Sequence, residues 1–159
     1  MGEPPVVCHD EGMEAGRIYS VGYEGFTAAA LVDRLIGSRV TTLVDVRLTP
    51  SSRKPGFSRR PLEAVLREAG IDYLHEPDLG NPPDNRASFR DGDGIEGRER
   101  MRARLENGSG PALARLVDRA LRERVAVLCV ERDRHRCHRD VITEMAQELA
   151  PELEVLHIL

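Results

Sequence analysis

Lysine, tryptophan and long apolar runs are almost or wholly missing from this chain of 159 residues. Lys54 is the only lysine, so arginine supplies nearly all of the positive charge. No apolar run approaches the roughly 20 residues that span a bilayer. The first residues show neither the basic region nor the apolar core of a secretory signal. We therefore expect a cytoplasmic protein with no membrane partner.

Cysteine is also scarce, and the three cysteines are Cys8, Cys129 and Cys137. An odd number without tight motif spacing argues against a disulfide framework and fits a reducing compartment. The net charge of -4 excludes a generally basic nucleic-acid coat, although it leaves room for a local basic patch. Any role of the cysteines would therefore be as thiols.

The composition is that of one globular domain, with 40% hydrophobic and 31% charged residues. Residues 1–16 contain prolines, glycines and acids without periodicity, which predicts a flexible N-terminal arm before a single domain over residues 17–159. Strand and helix patterns then alternate, and several strands are almost continuously apolar, as in a parallel sheet covered on both faces. The predicted fold is a three-layer α/β sandwich with a mostly parallel sheet of about five strands flanked by helices.

Two local predictions can be checked directly. The segment after Thr27 has apolar residues at helical spacing, which predicts a helix with Thr27 as its N-cap and Gly37 at its end. The segment Gly80 to Gly94, "GNPPDNRASFRDGDG", is rich in turn residues and almost free of aliphatic ones, which predicts an exposed and mobile loop.

Polar residues collect where the predicted strands end, which is the edge at which open α/β sheets bind ligands. They are Tyr23, Glu24, Asp45, Arg47, His75, Glu76, Cys129, Glu131 and the turn "RHRCHR". Asp45 and Arg47 are two residues apart and so share one face of a strand. A buried Asp45 needs a partner, which leaves two interpretations: a structural ion pair, or a carboxylate that positions Arg47 or a loop for a ligand.

The loop from Arg47 to Arg60, "RLTPSSRKPGFSRR", combines arginines, serines and a glycine. Such donors suit the oxygen atoms of phosphate, and Arg53 is a candidate ligand. Phe57 would offer a stacking surface for a base. A merely solvated basic loop is the alternative interpretation.

The thiols also allow two interpretations. Cys137 continues the apolar stripe of the last helix, which favours a buried and inert thiol. It also falls at the start of that helix beside Arg136 and Arg139, which would lower its pKa and make it reactive. Cys129 lies in an apolar strand and is expected in the core.

A metal site could draw on Cys137, His138, His135 and His75, but their spacing matches no tight zinc pattern, so no metal is predicted. His157 alternates with apolar residues and is expected to be structural. The sequence identifies no cofactor.

Four segments, "IYSVGYEGF", "LVDVRLTPSSRKPGFS", "AGIDYLHEPDLG" and "LCVERDRHRCHRDVI", resemble the blocks of the bacterial family called domain of unknown function 488, or DUF488. The resemblance runs from about Ile18 to Leu149. It implies an α/β domain and a recurring set of polar positions, but no reaction. Those positions are Tyr23, Asp45, Arg47, Arg53, Phe57, His75, Cys137, His138 and Arg139.

A weaker resemblance links Asp45 to Arg47 and Cys129 to rhodanese-type sulfurtransferases. It implies sulfur transfer, but "CVERDRHR" is charged and lacks the glycine of the loop that wraps the cysteine in those enzymes.

Two hypotheses of function follow. The first is a crevice at the strand ends that binds an anionic small molecule, a nucleotide or a nucleic-acid end through Tyr23, Arg47, Arg53, Phe57, Arg136 and Arg139. The second is an enzyme, a hydrolase or transferase, that uses Cys137 as nucleophile or redox thiol. There His75 or His138 would be the general base, Asp45 a further catalytic residue, and Arg47 and Arg139 would stabilise negative charge.

Overall fold

The computed structural model describes residues 16–159 as alternating strands and helices. The strands are β1 (Arg17–Gly22), β2 (Thr42–Asp45), β3 (Asp72–His75), β4 (Arg124–Cys129) and β5 (Glu154–Ile158). The helices are α1 (Ala28–Gly37), α2 (Arg59–Glu68), α3 (Ala87–Asp91), α4 (Ile95–Glu106), α5 (Gly110–Arg122) and α6 (Arg139–Leu149). Three single 3-10 turns cover Pro77–Leu79, Pro83–Asn85 and Arg134–Arg136.

The five strands form one parallel sheet in the order β3-β2-β4-β1-β5. The central strand β4 alternates its side chains between two apolar layers. Val125 and Val127 pack with α4, α5 and α6 on one face. Ala126 and Leu128 pack with α1 and α2 on the other. The predicted three-layer sandwich with about five strands is therefore confirmed.

The strand order creates a crevice at the carboxyl end of β4. The chain leaves β1 and β2 toward α1 and α2 on one face, whereas it leaves β4 toward α6 on the opposite face. Connections that diverge from adjacent parallel strands leave a gap between them, where ligands bind in open α/β sheets. The topology thus places the end of β4 at the centre of the candidate site.

The prediction for the first helix is confirmed. The Thr27 side chain accepts a hydrogen bond from the backbone N–H of Ala30 at 3.1 Å, and α1 ends at Gly37. This bond satisfies one of the N–H groups that a helix start leaves without a partner.

The predicted exposed loop from Gly80 to Gly94 is wrong in part, because much of it is folded and buried. It contains the Pro83–Asn85 turn and α3, and Asn81, Asn85 and Phe89 are buried. The Asn85 amide donates to Asn81 Oδ1 at 2.9 Å and to the Gly97 carbonyl at 3.0 Å. These bonds hold the segment against the start of α4 despite its turn-rich composition.

The predicted N-terminal arm lies outside the described residues except for Gly16. The Gly16 N–H donates to the Ala120 carbonyl at 2.8 Å, and its carbonyl accepts from Glu154 at 2.9 Å. Among residues 16–159, none of the helices combines the length and apolar character that crossing a bilayer requires.

Candidate ligand-binding cleft

A cavity of about 440 Å³ opens at the carboxyl ends of β1, β2 and β4. Its size falls within the range of small-molecule sites in proteins. The walls come from the connections after these strands and from the segment around α3. The lining residues are Glu24, Arg47, Leu48, Thr49, Ser51, Asn81, Arg86, Phe89, Arg90, Cys129, Val130, Glu131, Asp133, Arg136, Cys137 and His138.

Two glycines allow the walls of the cleft to pack closely. A Cβ atom on Gly22 would lie 1.8 Å from the Glu131 carbonyl oxygen, so only glycine lets the end of β1 touch the connection after β4. A Cβ atom on Gly80 would lie 2.7 Å from Leu48 Cα. The second contact fixes the α3 segment against the connection after β2.

Two thiols and an imidazole form the floor of the cleft. Cys129 ends β4, whereas Cys137 and His138 immediately precede α6. The Nδ1 atom of His138 lies 3.7 Å from Cys137 Sγ and 3.9 Å from Cys129 Sγ. These three atoms all lie within 4.8 Å of one another. The exposed fractions are 6% for Cys129, 1% for Cys137 and 5% for His138, so the group is buried, and all three residues line the cleft.

The orientation of His138 is fixed by the end of β2. Its Nε2 atom lies 2.9 Å from the Val46 carbonyl oxygen. A carbonyl can only accept, so Nε2 carries the hydrogen, and in the neutral ring the lone pair lies on Nδ1. That lone pair faces both thiols. The cleft floor therefore presents one nitrogen and two sulfur atoms whose coordinating positions converge.

Burial dominates the protonation of this group. It raises the pKa of the Cys137 thiol well above its usual range, and the Cys129 thiol raises it further, while His138 offsets only part of the shift. The direction is opposite to the lowering predicted for a reactive thiol at a helix start. Burial alone would lower the pKa of His138, but a Cys137 thiolate and the Val46 carbonyl raise it by more. Thiol and ring therefore favour being neutral together or charged together.

Asp45 and Arg47 form a buried ion pair beside the cleft. Asp45 is 0% exposed, and its two carboxylate oxygens accept from Arg47 Nε at 2.8 Å and Nη2 at 2.6 Å. Arg47 Nη1 also donates to the Phe57 carbonyl at 2.7 Å. The ion pair is therefore structural, and Arg47 anchors the loop before α2.

The Tyr73 hydroxyl adds a further hydrogen bond to this pair by donating to Asp45 Oδ2 at 2.5 Å. Burial and this hydrogen bond raise the pKa of Tyr73. Burial lowers the pKa of Arg47, but the Asp45 carboxylate raises it by more, so the guanidinium stays charged. Every strong acceptor position of Asp45 is thereby engaged by a donor of the same cluster.

The aromatic candidates Tyr23 and Phe57 stack on each other, with ring centroids 4.4 Å apart and planes inclined by 11°. Phe57 is fully buried, so its ring packs in the core between the sheet and α1 and α2. The Arg47 guanidinium lies 5.3 Å from the centre of the Tyr23 ring. These two rings therefore support Arg47.

Arg139 is also an interior residue, with 2% of its surface exposed. Its guanidinium donates to Ser20 Oγ at 2.8 Å and to the carbonyls of Glu131 and Arg132 at 2.5 and 3.3 Å. It thereby binds the connection after β4 to β1. Arg139 therefore holds the wall of the cleft in place from the protein interior.

Of the remaining predicted residues, one lies at the cleft and the others lie outside its lining. Arg136 is exposed on the rim of the cleft, whereas Arg53 is exposed in the loop between β2 and α2 and lies outside the lining. His75 Nε2 donates to the Arg47 carbonyl at 2.7 Å, also outside the lining. The structure thus brings Cys137, His138 and Arg136 together at the cleft and places His75 and Asp45 in the supporting network.

Sequence reasoning missed the contribution of the α3 segment, which brings Asn81, Arg86, Phe89 and Arg90 to the cleft. The one signal for it is Phe89, a large apolar side chain isolated among turn residues. Its ring lies 2.8 Å from where a Cβ atom on Gly97 would be.

Comparison with known proteins gives a family and no activity. The family model described as "Domain of unknown function DUF488" matches residues 27–146. No curated protein and no solved structure matches the chain. The matched range includes β2 and β4 with the cysteine and histidine turn, and therefore most of the cleft. The chain is a member of the DUF488 family.

Proposed function

We propose that the cleft binds a small anionic ligand, of which phosphate-bearing compounds such as nucleotides are the leading class. The observation that carries this proposal is a group of three exposed arginines, Arg86, Arg90 and Arg136, around a cavity at the carboxyl ends of the strands. Guanidinium groups bind phosphate through paired hydrogen bonds.

Two of the carboxylates that line the cleft are already engaged by backbone N–H groups, which reduces their opposition to a bound anion. Glu24 accepts from the Arg132 N–H at 3.1 Å, and Asp133 accepts from the His135 N–H at 3.0 Å. Within residues 16–159, the Arg136 side chain makes no hydrogen bond or ion pair, so its donors are available. Arg86 Nε donates to the Asn81 carbonyl at 3.2 Å and Arg90 Nε to Asp91 Oδ2 at 3.4 Å, so the terminal N–H groups of both arginines supplement those of Arg136.

A small molecule fits this site better than a long polyanion. The chain carries a net charge of -4, which opposes the approach of nucleic acid over a large surface. The cavity itself is the size of a small ligand. A nucleic-acid end remains the second form of the same anionic chemistry.

The test is calorimetric titration with inorganic phosphate and with a nucleoside monophosphate at low and high salt. We expect Arg136→Gln combined with Arg86→Gln to weaken binding by about tenfold or more. The matched control is Arg67→Gln, an exposed arginine near the end of α2, which should leave affinity unchanged. Failure of all these ligands to bind, or equal losses in the control, would remove the proposal.

A second candidate, thiol catalysis, is favoured by the contact of His138 Nδ1 with Cys137 Sγ at 3.7 Å. Here the thiol proton passes to Nδ1, the sulfur attacks an electrophilic carbon or phosphorus, and the leaving group takes the proton from the imidazolium. His138 has this geometry, whereas His75 lies outside the cleft lining. Sulfur transfer by Cys129 has less support, because Glu131 Oε1 lies 3.9 Å from its sulfur and opposes a persulfide anion.

The rate at which iodoacetamide alkylates each cysteine, followed by mass spectrometry, tests thiol catalysis. Rapid modification of Cys137 that phosphate slows would support a nucleophile inside the anion site. A Cys137 that stays unmodified in the folded protein while Cys8 reacts would argue against it.

A further inference from the structure

The three coordinating atoms on the cleft floor have a chemical character of their own. Two are sulfur atoms and one is an imidazole nitrogen with its lone pair directed at both sulfurs. This combination of soft and borderline ligands suits zinc and similar ions. Phosphate binding at the arginine rim, the group formed by Arg86, Arg90 and Arg136, uses none of these three groups.

The two nitrogen–sulfur distances are close to those of tetrahedral coordination. With Zn–S bonds of about 2.3 Å and Zn–N bonds of about 2.0–2.1 Å, tetrahedral angles place sulfur and nitrogen about 3.6 Å apart. The two observed distances from Nδ1 to sulfur are 3.7 and 3.9 Å. Changes in the side-chain torsions that close the sulfur–sulfur separation, which is at most 4.8 Å, would bring all three atoms to bonding distance from one ion.

The surroundings provide two further features of metal sites. Metal-binding histidines usually donate their other ring N–H to a carbonyl or carboxylate, and His138 donates to the Val46 carbonyl at 2.9 Å. Two thiolates and a divalent ion also sum to zero charge. Such a neutral unit can be buried at little electrostatic cost, whereas one thiolate at this depth would be expensive.

We propose that Cys129, Cys137 and His138 form a binding site for a soft divalent metal ion of the zinc type. All three line the cleft, so the fourth coordination position faces the cavity. Binding releases the two thiol protons to solvent and leaves two metal–thiolate bonds and one metal–nitrogen bond. Three protein ligands with one open position are typical of catalytic rather than structural zinc sites.

The test is titration of the reduced full-length chain with cobalt(II), an optical substitute for zinc, under anaerobic conditions. The parent protein for all variants is Cys8→Ser, which leaves Cys129 and Cys137 as the two cysteines of the chain. We expect one equivalent of cobalt and a sulfur-to-cobalt charge-transfer band with the intensity of two thiolates. Zinc should displace the cobalt and abolish the band.

The variants then identify the ligands. Cys129→Ser and Cys137→Ser should each remove about half of the charge-transfer intensity, and His138→Gln should weaken binding by about 100-fold or more. His135→Gln is the matched control, because His135 is exposed and should leave affinity and spectrum unchanged. Circular dichroism would establish that each variant is folded.

Absence of the sulfur-to-cobalt band in the folded Cys8→Ser protein would overturn the proposal without reference to any variant. A band that survives unchanged in Cys137→Ser would overturn it as well. The arginine-rim variants contain all three ligands, so loss of phosphate binding in them and loss of cobalt binding here are separate results.

Discussion

The Asp45–Arg47 network and the Cys129–Cys137–His138 cluster lie at the ends of neighbouring strands, but they differ in how their polar atoms are engaged. Both oxygens of Asp45 accept from charged or hydroxyl donors, so the carboxylate is fully paired. In the cluster, one imidazole lone pair faces two thiols at distances that allow only weak hydrogen bonds. A saturated network holds structure, whereas unsaturated atoms that converge on one point are available for chemistry.

The largest expected effect breaks the saturated network. Asp45→Asn would leave the buried Arg47 guanidinium without its counter-charge, which should lower the free energy of unfolding by about 3–5 kcal/mol. Urea denaturation measures the loss. Asp72→Asn, at an exposed position on β3, is the control and should stay within about 0.5 kcal/mol of the parent. Similar losses in both variants would contradict the structural role of the ion pair.

A smaller effect is expected when the network loses only its neutral donor. Tyr73→Phe removes the hydrogen bond to Asp45 Oδ2 but leaves both bonds from Arg47 in place. The expected loss of stability is about 1–2 kcal/mol by the same urea measurement. A loss equal to that of Asp45→Asn would mean that the hydroxyl, and not the ion pair, organises this end of the sheet.

Substitution in the unsaturated cluster should cost still less. Cys137→Ser keeps the side-chain size and gives His138 Nδ1 a hydroxyl donor, so we expect a loss of about 1 kcal/mol in the metal-free protein. The same urea experiment in the presence of a chelator measures it. A loss as large as that of Asp45→Asn would place the cluster with the structural networks and erase the contrast between them.

The smallest effect concerns a paired carboxylate near the surface. Partial burial alone would raise the pKa of Glu123, but hydrogen bonds from Thr41 and Thr42 and the charge of Arg119 lower it below 4.5. The stabilisation from this shift is present above the unfolded value and is lost as the pH falls through the folded pKa. Because the site is partly solvated, we expect less than about 1 kcal/mol.

Glu123→Gln tests this prediction. The difference in free energy of unfolding between about pH 7 and pH 4 should shrink slightly relative to the parent. An unchanged pH dependence would show that solvent screens this carboxylate completely. An increased dependence would contradict the sign of the pKa shift.

The sequence predicted the sheet well because its strands are apolar segments between helices. The list of polar strand ends also pointed to the edge at which the cleft lies, since parallel strands bring their carboxyl ends together. It did not predict the partners at that edge. The bond from Arg47 to the Phe57 carbonyl depends on the path of the intervening loop, which local composition does not determine.

The thiols illustrate the same limit. Stepping back along the last helix placed Cys137 on the apolar stripe, and the residue is 1% exposed. Its approach to His138 and Cys129 depends on the path of the chain through the turn at Arg134–Arg136, which lies between β4 and α6. The α3 segment was predicted to be an exposed loop because most of its residues are typical of turns. The burial of Phe89, its one large apolar residue, depends on contact with Gly97, which composition does not reveal.

All three members of the cluster lie in one continuous segment, residues 129–138, which runs from the last residue of β4 to the start of α6. The group is therefore a portable module: residues 129–138 could be grafted between a strand and a helix of another parallel α/β protein. The host would need a carbonyl placed like that of Val46 and a glycine placed like Gly22, where any side chain would collide with Glu131. It would also need an arginine placed like Arg139 and a hydroxyl placed like that of Ser20, because these two side chains hold the connection after β4 against β1.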